Sequence, residues 1–213
     1  MPYLKSMVGR SVQVKERIVE EDPLEHGIRK ALNLGHTVGH AFESLALAER
    51  RPVLHGYAVA WGLVCELYLS YIKTGFPKDK MRQTIQFVKE NYGSFTFNCK
   101  QYHQLYELMK HDKKNTAGVI NFTLLKEVGD ICLNQTADKE TIFEMFDFYR
   151  ECMGDITLPL PLRQALHNQP IGACHQFSDN AVRYILIKIH TVPILLFMCH
   201  PGFTPIVPCP QLR

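Results

Sequence analysis

The sequence predicts a mainly α-helical domain over residues 1–153, with at most a minor β-hairpin, followed by an atypical segment over 154–213. Three observations carry this. Residues 1–153 hold 39 of the 45 charged residues, 20 basic and 19 acidic, set among apolar positions at helical spacing. One stretch near residue 120 switches to a β-branched alternation. Residues 154–213 hold only six charges but eight of the 12 Pro, and no amphipathic period extends far in them.

The elements follow in order. Residues 6–21 place apolar side chains at 7, 8, 12, 14, 18 and 19, a helical pattern. Pro23 and Gly27 in "EEDPLEHG" punctuate the chain. Residues 29–48 read as one long Ala- and Leu-rich segment broken only by Gly35 and Gly39. Each helical glycine costs about 1 kcal/mol relative to Ala, which suggests close approach by a backbone or a ligand. "AERRPVL" is a loop, and 56–74 is apolar on nearly every face, as a central helix would be. Residues 79–92 and 100–111 are amphipathic helices, and 119–125 is a strand candidate within a small hairpin. Asp138 N-caps a last helix that runs to about 152.

Composition excludes several classes of protein. Apolar residues make up 46% and charged residues 21%, as in ordinary globular chains. A net charge of +3 does not point to nucleic acid or an acidic membrane as the main partner. Seven Cys without a CxxC pair indicate neither a disulfide scaffold nor a zinc ribbon. The apolar runs at 184–189 and 192–199 are too short to span a bilayer, and "MPYLKSMVGR" lacks the apolar core of a secretory signal. The tail over 154–213 is expected to be poorly ordered. It reads as translated sequence never selected to fold, as from a frameshift or read-through.

The chemistry concentrates between Lys15 and His55. Arg29, Asn33, His36 and His40 stand at offsets 0, 4, 7 and 11, and on a helix of 3.6 residues per turn these four polar residues form one stripe. His36 and His40, four apart, can flank one ion or one substrate. His55 opens the next helix, and an antiparallel pairing of the two helices brings it beside His36. Two imidazoles with a carboxylate are a common ligand set for Zn²⁺. The competing readings are coincidental spacing and a buried salt-bridge network. Arg suits phosphate or carboxylate, and Asn can orient a hydroxyl. Lys113 and Lys114 in "HDKKN" suit a phosphate or, more plainly, a solvated helix end. Tyr102, Tyr106, Phe143, Phe146, Phe148 and Tyr149 recur at helical spacing and are assigned to the core.

"RKALNLGHTVGHAFES", "HGYAVAWGL" and "HDKKNTAGVINFTLL" occur in that order. They closely resemble motifs of the 3-dehydroquinate synthase family, and the resemblance extends from about residue 4 to 153. It implies the helical C-terminal domain of that enzyme, without its N-terminal NAD-binding α/β domain. It implies His36 and His55 as metal ligands and Glu25 and His40 as acid/base residues. Lys15, Arg29 and Asn33 match substrate contacts. Lys113 or Lys114 matches the lysine on the substrate phosphate, with Lys113 preferred.

The implied activity is a cytoplasmic, phosphate-eliminating lyase of the shikimate pathway, using a divalent metal (Zn²⁺ or Co²⁺) and NAD. Its substrate would be the sugar phosphate 3-deoxy-D-arabino-heptulosonate 7-phosphate. The partners implied are a second copy or a separate NAD-domain chain. Three features depart from the family pattern. No GGG or GxGxxG loop occurs, Tyr57 stands where the family usually has an acid, and the matching third metal ligand, a glutamate, would fall before Met1. The chain alone is therefore expected to be inactive. The alternatives are another sugar-phosphate cyclase, of the epi-valiolone or deoxy-inosose synthase type, and a non-catalytic helical remnant.

Overall fold

The computed structural model describes residues 2–111 and 119–154. Six helices are α1 (Pro2–Glu21), α2 (His36–Ala48), α3 (His55–Thr74), α4 (Lys78–Tyr92), α5 (Tyr102–Lys110) and α6 (Lys139–Met153). Strands β1 (Phe122–Glu127) and β2 (Asp130–Gln135) form one antiparallel hairpin, and 3₁₀ turns cover Ile28–Asn33 and Cys99–Gln101. The expectation of a mainly helical domain with a small hairpin holds. The tail over 155–213 lies outside the described residues. Among the described residues, no helix is long and apolar enough to cross a membrane.

Helix α3 is the centre of the fold. Its apolar residues run round the whole circumference, so α2, α4, α6 and β1 all pack on it. The hairpin is tied to it by polar side chains. Ser70 Oγ donates to the Glu66 carbonyl at 2.7 Å and accepts the Leu125 N–H at 3.0 Å. A second layer is aromatic: Phe42 has ring centroids 5.1 Å from Phe95, 5.3 Å from Phe97 and 5.3 Å from Tyr149. Tyr102, Phe146 and Tyr149 are buried, and Tyr106, Phe143 and Phe148 pack against them, so this set is core as expected. The buried Tyr149 hydroxyl accepts the Phe95 N–H at 2.9 Å.

The continuous helix expected over 29–48 is not found. Residues Ile28–Asn33 form a 3₁₀ turn, Leu34 is extended (φ −55°, ψ 128°), and Gly35 has φ +78°. That left-handed conformation suits glycine and stops helical propagation, so α2 starts afresh at His36. Arg29 and Asn33 therefore do not share a helical stripe with His36 and His40.

The two glycines expected to admit something close do so. A Cβ on Gly35 would stand 2.8 Å from the Val59 carbonyl oxygen, and one on Gly39 3.0 Å from Val59 Cα. From the other side, a Cβ on Gly62 would lie 2.1 Å from the Gly35 carbonyl oxygen and 2.5 Å from the Gly39 nitrogen. The pairing of 35 with 62–63 and of 39 with 58–59 makes α2 and α3 antiparallel, backbone against backbone. Gly62→Ala should destabilise the fold by about 3 kcal/mol or more, because both clashes are with backbone. Gly9→Ala, on exposed α1 with nothing within 4 Å, should instead be neutral or stabilise by up to about 1 kcal/mol. Thermal unfolding of the two variants checks the contrast.

Asp138 caps α6 as expected, accepting the Thr141 N–H at 2.8 Å. Hydrogen bonds from the Thr141 side chain and then its backbone outweigh desolvation and hold the carboxyl below its ordinary value of 3.8. A pKa lower in the folded state means stability present above 3.8 and lost as pH falls through and below it. Asp138→Ala should therefore melt below wild type at pH 6, and the gap should close by about pH 2. Melting temperatures across that range test it.

Candidate metal and substrate site

Helix α2 begins without a side-chain cap of its own. Glu66, fully buried on α3, supplies it: Oε2 accepts the Gly35 N–H at 2.5 Å and Oε1 the Val38 N–H at 3.3 Å. A carboxylate here satisfies two of the orphan donors and faces the positive end of the helix dipole. The two donors bracket His36, so the cap sets where that side chain leaves the helix.

His36 and His40 lie one turn apart on α2, and His55 is the first residue of α3. Their ring centroids are 5.5 Å apart for His36–His40, 5.3 Å for His36–His55 and 5.6 Å for His40–His55. The expectation that an antiparallel pairing would bring His55 beside His36 holds, and His40 completes the triangle.

Hydrogen bonds define the ring nitrogens of two of these. His36 Nδ1 is 3.2 Å from the Leu34 carbonyl oxygen, and His55 Nδ1 is 2.9 Å from Glu43 Oε2. A carbonyl or carboxylate oxygen can only accept, so each Nδ1 is the donor, and in the neutral ring each Nε2 is left with the lone pair. A ligating histidine typically has this arrangement, with its second nitrogen donating to such an acceptor. Two imidazoles bound through Nε2 to one tetrahedral ion at about 2.1 Å would have centroids roughly 5 Å apart. The 5.3 Å separation of His36 and His55 fits that requirement. Among the described residues, no three His, Cys, Asp or Glu side chains close on a single point, so these residues fit part of a coordination sphere.

A second group forms in the loop before α2. The Asp22 carboxylate accepts the N–H groups of His26 (2.9 Å), Gly27 (2.7 Å) and Arg29 (3.0 Å). Desolvation raises its pKa, but the three backbone donors and nearby His26 outweigh it and hold the carboxyl below its usual value. This closed loop puts Glu25 at φ +59°, an unfavourable backbone for a residue with a side chain, worth about 1 kcal/mol or more. Asn33 Nδ2 then donates to Glu25 Oε1 at 2.6 Å. The Arg29 guanidinium donates to the Pro23 carbonyl at 2.8 Å.

Of the residues expected at the site, the structure thus forms two groups: His36, His40 and His55, and Glu25 with Asn33 and Arg29. Lys15 is exposed on α1. Lys113 and Lys114 lie outside the described residues. Sequence reading missed Asp22, Glu43 and Glu66. The Asp-Pro turn signal was available for Asp22, and Glu43 sits three residues after His40. Glu66 gave only the faint signal of one acid within an apolar helix.

The structure is thus a mainly helical domain with three clustered imidazoles at the α2–α3 crossing. Known proteins define it further. The 3-dehydroquinate synthase C-terminal family matches over residues 1–115. The chain is 62% identical over 152 residues to a 3-dehydroquinate synthase of Parabacteroides distasonis, covering 71% of this chain and 43% of that protein. It is 44% identical over 129 residues to one of Oceanobacillus iheyensis, covering 60% and 34%. A bifunctional shikimate kinase/3-dehydroquinate synthase of Thermotoga maritima is 40% identical over 129 residues, covering 60% and 25%. The chain belongs to the 3-dehydroquinate synthase family and spans less than half the length of each of these relatives.

Glu66→Gln keeps the side-chain shape but turns an amide N–H₂ toward one of the two backbone donors. It should cost roughly 2–3 kcal/mol, as loss of a buried hydrogen bond to a charged group does. Denaturant unfolding measures it.

Proposed function

We propose that this chain supplies the metal- and substrate-binding part of a 3-dehydroquinate synthase, a phosphate-eliminating lyase of aromatic biosynthesis. The observation that carries the reading is the imidazole triangle, with Nδ1 of both His36 and His55 engaged by an acceptor. His36 and His55 would hold a divalent ion such as Zn²⁺ or Co²⁺. When bound, that ion supplies Lewis-acid polarisation of a substrate oxygen.

The other residues bind, orient and move protons. Lys15 and Arg29 suit the carboxylate and phosphate of a sugar-phosphate acid such as 3-deoxy-D-arabino-heptulosonate 7-phosphate. Lys113, or Lys114, takes the phosphate. Glu25 exchanges a proton with the substrate through its carboxylate, and Asn33, 2.6 Å from Oε1, fixes the direction of that carboxylate. His40, one turn beyond His36, is the second proton-transfer group. No glycine-rich dinucleotide loop occurs in the sequence, so these residues do not account for NAD. NAD and the remaining metal ligand then belong to a partner chain that carries a dinucleotide-binding domain.

The purified chain with NAD and Zn²⁺ should form no dehydroquinate. Mixing it with the N-terminal part of the Parabacteroides distasonis relative should restore formation of the product. Turnover by the chain alone would overturn the need for a partner. No turnover with the partner, in a complex shown to assemble, would favour a non-catalytic remnant. Calorimetric Zn²⁺ binding should be abolished by His36→Ala, and undiminished binding would overturn the ligand assignment.

A further inference from the structure

Glu43 and His55 are half exposed, with side-chain exposures of 39% and 49%, and stand 2.9 Å apart across the gap between α2 and α3. An ion pair so open to water contributes little to stability. Its geometry, however, is specific. Glu43 is on the His36–His40 face of α2, one residue short of a turn beyond His40, and it meets the Nδ1 edge of His55. The carboxylate accepts, so neutral His55 keeps its proton on Nδ1. A neutral imidazole with no such acceptor favours the Nε2–H tautomer, which has no lone pair at Nε2. His36 is held in the Nδ1–H form by a different device, the Leu34 carbonyl. A backbone carbonyl cannot be removed by substitution, whereas a side chain can, so His55 is the ring whose tautomer is open to test.

We infer that Glu43 is a positioning residue: its carboxylate fixes the tautomer and rotation of His55 so that Nε2 is the nitrogen left with the lone pair. The metal consequence rests on the proposed function above. The tautomer consequence does not.

The test uses the ¹⁵N-labelled 213-residue chain. Long-range ¹H–¹⁵N correlation spectra are recorded without metal at about pH 8, above the ordinary imidazole range. Wild-type His55 should show the Nδ1–H pattern, and Glu43→Ala should shift it toward Nε2–H. Glu43→Gln, whose amide oxygen still accepts, should keep Nδ1–H. The metal-free melting temperature should change little in either variant. In Zn²⁺ titrations, Glu43→Ala should weaken binding about 10- to 100-fold, as loss of an outer hydrogen-bond partner does. An unaltered His55 spectrum in Glu43→Ala overturns the inference, as does wild-type Zn²⁺ affinity in that variant. A tautomer that follows Glu43 in a chain that binds no Zn²⁺ upholds the positioning and overturns the metal reading alone.

Discussion

The backbones of α2 and α3 meet at Gly35, Gly39 and Gly62, and the buried Glu66 carboxylate fastens the start of α2 to α3 at that crossing. The histidine cluster depends on this contact. His36 and His40 belong to one helix and His55 to the other. With ordinary side chains at the crossing, interaxial separations run to about 8–10 Å. His55 would then not come within 5.3 Å of His36 and 5.6 Å of His40. The glycines weaken helix propensity and give up side-chain packing, and the surrounding core offsets this. Phe42, Leu45, Val64 and Leu67 are fully buried along the same two helices.

The second half of the site is built by a different kind of constraint. Between α1 and α2 the chain closes on Asp22 through three backbone hydrogen bonds, and the closed loop holds Glu25 in a left-handed backbone conformation. Local strain of this kind persists where the surroundings over-determine it. Here they do so through Asp22 and through Asn33, which grips the Glu25 carboxylate. The helix crossing groups the imidazoles, and the strapped loop that precedes α2 holds a carboxylate and an arginine.

Much of this was legible from residue order. The central α3 was visible as a helix apolar on every face, the hairpin as β-branched alternation, and the α6 cap as an Asp before a periodic run. The triangle of His36, His40 and His55 followed from a four-residue spacing plus an antiparallel pairing of helices. The single stripe from Arg29 to His40 did not survive. Counting at 3.6 residues per turn assumes an unbroken helix, and Gly35 at φ +78° breaks it. Glycine tolerates both conformations, so the letter alone does not say which is used.

The sequence by itself determined the helices, the histidine spacing and the family motifs, because these are local or recur as fixed strings. Tertiary structure alone decided which acids serve the site. Glu66 reaches a helix start 31 residues away, and Glu43 reaches an imidazole 12 residues away. Neither contact leaves a periodic trace, since a carboxylate in one helix finds its partner through how closely two backbones pack. That closeness was only hinted at by Gly35 and Gly39, and it became a distance once Gly62 was found opposite them.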